Sequence, residues 1–160
     1  MISGIATFGR VLAQWRIWMA GVAMLALAGP AWAELGGNVA TVQTDQEHMK
    51  GTRRITTTAD YSVHEIQTDS GTTVREFVSP GGTVFGVAWQ GPWKPDMRQL
   101  LGPYFDRYVQ SIQSKRPRRG PVSIHEPGLV VESSGHMRSF SGRAYLPQMT
   151  PQNVDPATIK

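Results

Sequence analysis

Histidine beside glutamate is a pattern that suggests a metal site, because both side chains can bind a metal ion. Three doublets occur, at Glu47-His48, His64-Glu65 and His125-Glu126, and a fourth histidine stands alone as His136. Neighbouring residues of a strand point to opposite faces, so one doublet does not easily give two ligands to one ion. The chain has no cysteine and no His-Glu-x-x-His motif. We therefore predict no metal site and no cofactor.

Serine chemistry has no sequence motif here either. The Gly-x-Ser-x-Gly motif of the hydrolases is absent, Ser133-Ser134-Gly135 is typical of a turn, and Ser139 and Ser141 lie in a strand-like run. A hydrolase whose site is assembled without a motif stays open as an alternative. It would need the polar residues of this chain to meet in one concave pocket, namely His64, Glu65, His125 and His136.

The densest charge in the chain is the run Lys115-Arg116-Pro117-Arg118-Arg119. Such a run attracts anionic surfaces, so phospholipid head groups, lipopolysaccharide phosphates or an acidic protein are its candidate partners. The alternative is a solvated loop after a helix, where basic residues also complement the helix dipole. We take Lys115, Arg116, Arg118 and Arg119 as candidate binding residues.

Two tryptophans, Trp89 and Trp93, flank a Gly-Pro break. Trp89 alternates with Phe85 and Val87 in a strand-like run, which predicts that it is buried. Trp93 lies between Pro92 and Lys94-Pro95, where neither a strand nor a helix period includes it. We predict that Trp93 is partly exposed and name it as the aromatic candidate for ligand contact.

The elements that must position these residues alternate strands with one main helix. A short helix is predicted over 39–49, and the segments that follow it favour strands and turns. The predicted strands are "TRRITTTA", "YSVHEIQ", "TVREFVS" and "TVFGVAWQ", followed after the main helix by "VSIHE", "LVVES" and "MRSFSGRAYL". The fold class is therefore α+β, an antiparallel meander sheet with one amphipathic helix packed on it.

The break around Trp93 is predicted to be a corner. Pro92 ends the strand over residues 83–90, and Pro95 keeps Lys94 extended, so the helix begins at Asp96 as its N-cap. A kink or restart is expected near Gly102-Pro103. We further expect the apolar helix face to return onto the Gly86 side of the strand.

The beginning of the chain is typical of an export signal. Arg10 and Arg16 precede an apolar run of about 12 residues, shorter than the ~20 that span a bilayer. Ala31-Trp32-Ala33 then matches the small-x-small cleavage pattern. We predict a signal peptide over residues 1–33, one domain over 34–147 and a disordered tail over 148–160, with no transmembrane span after cleavage. An uncleaved membrane anchor over the apolar run is the alternative.

Export weakens the case for nucleic acid as a partner. The full chain carries a net charge of +4, and removal of Arg10 and Arg16 leaves +2. A periplasmic or secreted protein also meets little nucleic acid. The sequence thus favours a non-catalytic binding or accessory module that engages an envelope protein or an anionic envelope component.

Several segments are also similar to a known family, the proteobacterial "domain of unknown function 2844". The segments that carry the resemblance are Leu35-Gly36-Gly37, Val63-His64-Glu65, Arg75-Glu76-Phe77-Val78, Gly82-Thr83-Val84-Phe85, Trp89-Gln90-Gly91-Pro92 and Leu100-Leu101-Gly102. The likeness is good over residues 35–108 and looser beyond. It implies a small exported protein and supplies no catalytic residues.

Overall fold

The computed structural model describes residues 34–38, 52–114 and 120–160. Its centre is one antiparallel sheet of seven strands in the order β1-β2-β3-β4-β7-β6-β5. The strands are β1 Thr52–Thr57, β2 Ser62–Gln67, β3 Thr73–Val78, β4 Val84–Gly91, β5 Val122–Glu126, β6 Leu129–His136 and β7 Ser139–Tyr145. Two meanders, β1–β4 and β5–β7, therefore join along β4 and β7. The predicted α+β class with an antiparallel sheet is confirmed.

The helical segment connects the two meanders. It consists of α1 Met97–Leu101, a 3₁₀ turn Gly102–Tyr104 and α2 Phe105–Ser114. Asp96 caps α1 through its carboxylate, as predicted. The interruption falls at Gly102-Pro103, because proline cannot donate the hydrogen bond that a continuous helix requires there. The predicted restart of the helix is confirmed.

A register shift in β4 decides which side chains share a face. Phe77 pairs with Gly86 but Val78 pairs with Val84, so Phe85 is an extra residue opposite β3. Val84, Val87 and Trp89 pack with the helical segment on what we call the helix face of the sheet. Phe85 and Ala88 pack on the opposite face.

This bulge corrects two expectations. Phe85 does not share a face with Trp89, because the extra residue reverses the alternation between them. The helix also does not return onto the Gly86 side. A Cβ at Gly86 would lie 2.9 Å from Ile159 Cδ1, so that side is covered by the end of the chain.

The C-terminal segment, residues 147–160, packs across the second face of the sheet, which we call the tail face. Val154 and Ile159 are buried there against Phe77 and Phe85. Asp155 caps a 3₁₀ turn, Pro156–Thr158. Because Val154 and Ile159 are buried and the backbone of the segment is hydrogen bonded, the prediction of a disordered tail over 148–160 is wrong.

Residues 34–38 join the sheet beside β4. Gly36 N–H donates to Val84 C=O over 2.8 Å, Val84 N–H donates to Gly37 C=O over 2.9 Å, and Leu35 is fully buried. The predicted signal peptide over 1–33 and the predicted helix over 39–49 lie outside the described residues. Within the described ranges, no helix is long and apolar enough to cross a membrane.

Candidate functional site

The corner after β4 rests on the loop that joins β2 and β3. A Cβ at Gly91 would come within 2.5 Å of Thr72 Cα, so only glycine permits this approach. On the other side of the contact, a Cβ at Gly71 would lie 3.6 Å from the ring of Pro92. The chain therefore meets the hairpin loop backbone to backbone where it leaves the sheet.

Thr72 fixes the position of Trp93. Its hydroxyl donates to Trp93 C=O over 2.9 Å and accepts from Trp93 N–H over 3.4 Å. A hydroxyl can act in both ways at once, and Thr72 is itself only 2% exposed. One buried side chain thus holds both backbone polar groups of Trp93.

The indole of Trp93 nevertheless faces solvent. Trp93 is 56% exposed, and no other aromatic residue in the described part of the chain is exposed. Trp89 is 2% exposed by contrast. The predicted difference between the two tryptophans is confirmed.

A small cleft of about 130 Å³ lies beside the indole. We call it, with its walls, the Trp93 corner. Its walls come from the β2–β3 loop, from residues 93–95 and from the start of α1. They are formed by Thr68, Ser70, Thr72, Trp93, Lys94, Pro95, Asp96, Gln99 and Leu100.

The charged groups of the Trp93 corner are held in place. Asp96 Oδ1 accepts from the N–H groups of Arg98 and Gln99, at 2.8 and 3.3 Å. Lys94 Nζ donates to the Tyr108 hydroxyl over 3.1 Å. One positive and one negative group therefore border the cleft.

A larger groove, of about 570 Å³, lies between the C-terminal segment and strands β5, β6 and β7. Its rim contains a charged network in which Glu132 accepts from Arg143 Nε over 2.8 Å and contacts His125 Nε2 at 3.2 Å. Arg143 also donates to Pro156 C=O, which ties the rim to the C-terminal segment. The Arg143–Glu132 ion pair carries no net charge, and it is accounted for by the packing of that segment.

The histidines and Glu65 do not form one site. His64 and Glu65 lie on β2 near one edge of the sheet, whereas His125 and His136 lie on β5 and β6 at the other edge. No group of three metal-binding side chains occurs among the described residues. The motif-free hydrolase required these residues to meet, and they are separated by β3, β4 and β7.

The ring of His64 is also oriented against serine catalysis. Arg53 Nη2 lies 2.8 Å from His64 Nδ1, and Ser62 Oγ lies 3.3 Å from Nε2. Guanidinium only donates, so Nδ1 accepts and Nε2 carries the proton. His64 then donates to Ser62 and does not act as its base. Burial and the Arg53 charge lower the pKa of His64, which keeps the ring neutral.

The basic run containing Lys115, Arg116, Arg118 and Arg119 lies outside the described residues. Its flanks are the end of α2 at Ser114 and the residue Gly120. The assignment of these four residues to binding stays a prediction, and of the candidate binding residues the structure places Trp93.

Sequence reasoning missed Thr72 as the partner of Trp93. The Asp-Ser-Gly loop indicated a hairpin, and the hairpin is present. Nothing in the sequence indicates that a threonine in this loop meets a tryptophan 21 positions along the chain. That contact follows from the pairing of β3 with β4, which brings the two loops to one end of the sheet.

Comparison with known proteins identifies the family. Residues 31–159 match the family model described as protein of unknown function (DUF2844), and the chain belongs to that family. No curated protein and no solved structure matches the chain. The matched range includes the C-terminal segment, in accord with its packing on the tail face.

Proposed function

We propose that this protein is an exported binding or accessory module of the cell envelope, without catalytic activity of its own. The N-terminal pattern of Arg10, Arg16 and Ala31-Trp32-Ala33 supports export to the periplasm or beyond. The hydrogen bonds from Thr72 to Trp93 carry the assignment of the contact surface. They hold an exposed indole on a fixed backbone, which lowers the entropy lost when a partner binds.

The Trp93 corner also has the composition of a contact surface. Tryptophan is enriched where a few residues dominate binding, since its ring offers a large apolar area with little conformational freedom to lose. The ion pairs around Arg143, in comparison, are accounted for by the packing of the C-terminal segment. The Trp93 corner therefore combines an exposed aromatic side chain with a backbone that Thr72 holds in place.

Crosslinking in the native host tests the contact surface. A tagged protein with Trp93→Ala should lose a crosslinked envelope component that the unchanged protein captures. Met137→Ala is the matched control, because Met137 is 91% exposed and lies between β6 and β7. Equal capture by the unchanged protein and the Trp93 variant would refute the contact surface.

Export has its own test. Mass spectrometry of the protein recovered from the periplasm should give Glu34 as the first residue. A full-length chain retained in the inner membrane would contradict cleavage after Ala33.

The basic run is a second proposed contact, for anionic envelope surfaces. Neutralising Arg116, Arg118 and Arg119 together should reduce adsorption to vesicles that contain anionic phospholipid, and added salt should do the same for the unchanged protein. Unchanged adsorption by the triple variant would reduce the run to a solvated loop.

A further inference from the structure

We propose that the Trp93 corner is a saccharide site, which takes one uncharged sugar ring against the indole of Trp93. This inference rests on the proposed function and adds the chemical class of the ligand. It is carried by the shape, the charge balance and the polar groups of the cleft.

The indole forms a prepared stacking surface. Trp93 is held at its N–H and C=O by Thr72, and Pro92 packs against Gly71 on the neighbouring loop. A pyranose ring has an apolar face of C–H groups that packs flat on an aromatic ring. Since the backbone beneath the indole is already ordered, stacking requires little further ordering of the protein.

The groups around the indole suit hydroxyl partners. Ser70 and Asp96 are exposed members of the wall, and Gln99 lies beside them. Asp96 uses Oδ1 to cap α1, which leaves its second oxygen as an acceptor. Hydroxyl, carboxylate and amide groups beside the apolar indole ring can hydrogen bond to the hydroxyls of a sugar whose C–H face packs on that ring.

The cleft fits other ligand classes less well. A purely apolar molecule needs enclosure of most of its surface, which a cleft of about 130 Å³ beside an exposed ring does not provide. An ion needs an excess of one charge, whereas Lys94 and Asp96 offset each other. The cleft is small and open beside the indole, so it takes no more than one ring of a larger glycan.

Nuclear magnetic resonance of the indole N–H groups tests the inference. The ¹⁵N-labelled full-length protein is titrated separately with a glucose trisaccharide and an N-acetylglucosamine trisaccharide, and Trp93→Phe assigns the Trp93 signal. At least one sugar should shift the Trp93 indole signal in a saturable way and leave the other four indole signals in place. Trp93→Ala should weaken binding by at least tenfold in isothermal titration, and Trp93→Phe by less, because it keeps an aromatic face.

The control is Ile55→Ala, since Ile55 is 53% exposed at the edge strand β1 and should not affect sugar binding. No saturable shift with either sugar, or equal affinity in the Trp93→Ala variant, overturns the saccharide inference. If crosslinking through Trp93 still captures an envelope protein, the proposed binding module stands and its ligand is a protein. If that capture also fails, both proposals are wrong.

Discussion

The ring of Trp89 on β4 lies directly against Gly142 on β7, its partner across the strand pair. A Cβ at position 142 would collide with the ring, including Cε2 at 2.6 Å. The absence of a side chain on β7 therefore makes room for the largest residue of the helix face. It also places a buried tryptophan at the join between the two meanders.

This contact predicts an unusual cost for a small substitution. Gly142→Ala should destabilise the protein by about 1–3 kcal/mol, as overpacking of a filled core does. Urea denaturation monitored by circular dichroism measures the loss. Gly81→Ala is the control, because the nearest atom to a Cβ there is Ser79 Oγ at 3.8 Å, and it should be nearly neutral. Equal stability of the two variants would show that the sheet moves to admit the methyl group.

The two tryptophans should differ sharply in their contribution to stability. Trp89→Ala should cost about 3–5 kcal/mol, because it removes a buried ring from the helix face. Trp93→Ala should cost about 1 kcal/mol at most, because most of its ring is in solvent. Both values come from urea denaturation followed by circular dichroism. A larger loss for Trp93 would mean that the corner is a core element.

Thr72 should be required for the geometry of Trp93. Thr72→Val keeps the shape of the side chain and removes the hydroxyl, so the part-buried backbone groups of Trp93 lose their partner at a cost of about 1–3 kcal/mol. Thr72→Ser keeps the hydroxyl and should retain most of the stability. The fluorescence anisotropy of Trp93, measured with Trp89→Phe in a chain that begins at Glu34 and so has no other tryptophan, should fall in the Val variant alone. A Ser variant as unstable as the Val variant would assign the effect to the methyl group.

His64 should make the stability depend on pH. Burial and the Arg53 charge lower its pKa from 6.5, so between that lowered value and 6.5 the unfolded chain binds more protons than the folded protein. The contribution is therefore fully present above pH 6.5 and is lost as the pH falls below it. As the pH falls from 7.5 to 5.5, the unfolding free energy should fall less steeply in His64→Gln than in the unchanged protein, while the exposed-site control His136→Gln should follow the unchanged protein. Parallel profiles for all three proteins would contradict this assignment.

The C-terminal segment should be part of the folded core. Ile159→Ala should cost about 2–5 kcal/mol, since Ile159 is completely buried on the tail face. Met149→Ala is the control, because Met149 lies in the same segment but is 45% exposed and should change stability little. Urea denaturation gives both values. If Ile159→Ala left the stability unchanged, the result would support the disordered tail that the sequence alone predicts.

Local patterns in the sequence predicted the strands, the cap at Asp96 and the break at Gly102-Pro103, because each depends on residues close in the chain. The face of Phe85 was mispredicted, since strict alternation has no signal for one extra residue opposite β3. The C-terminal segment was mispredicted for a related reason. Its polar and proline-rich composition resembles a free tail, and the apolar contacts of Val154 and Ile159 are with strands far away in sequence.

The candidate site was likewise predicted only in part. The exposure of Trp93 was predicted because Pro92 and Pro95 place it outside both the strand and the helix, so that neither hydrophobic pattern includes it. Thr72, which fixes it, was not predicted because the two meet only through the pairing of β3 with β4. Single residues of a site are thus visible in this sequence, whereas the contacts that make them a site are not.

The joining of two meanders along β4 and β7 also orders the assembly of the chain. Each meander is made of neighbouring hairpins with short loops, whereas the β4–β7 pair closes across the helical segment, β5 and β6. We therefore expect the β4–β7 pair to form later, because closing a longer loop costs more entropy. Until it closes, each half exposes an unpaired strand edge that fits the other half of the same chain or of a second copy. We therefore expect a second chain to compete for that edge at high concentration, so that exchange of whole meanders between two copies would be the misassembly to look for.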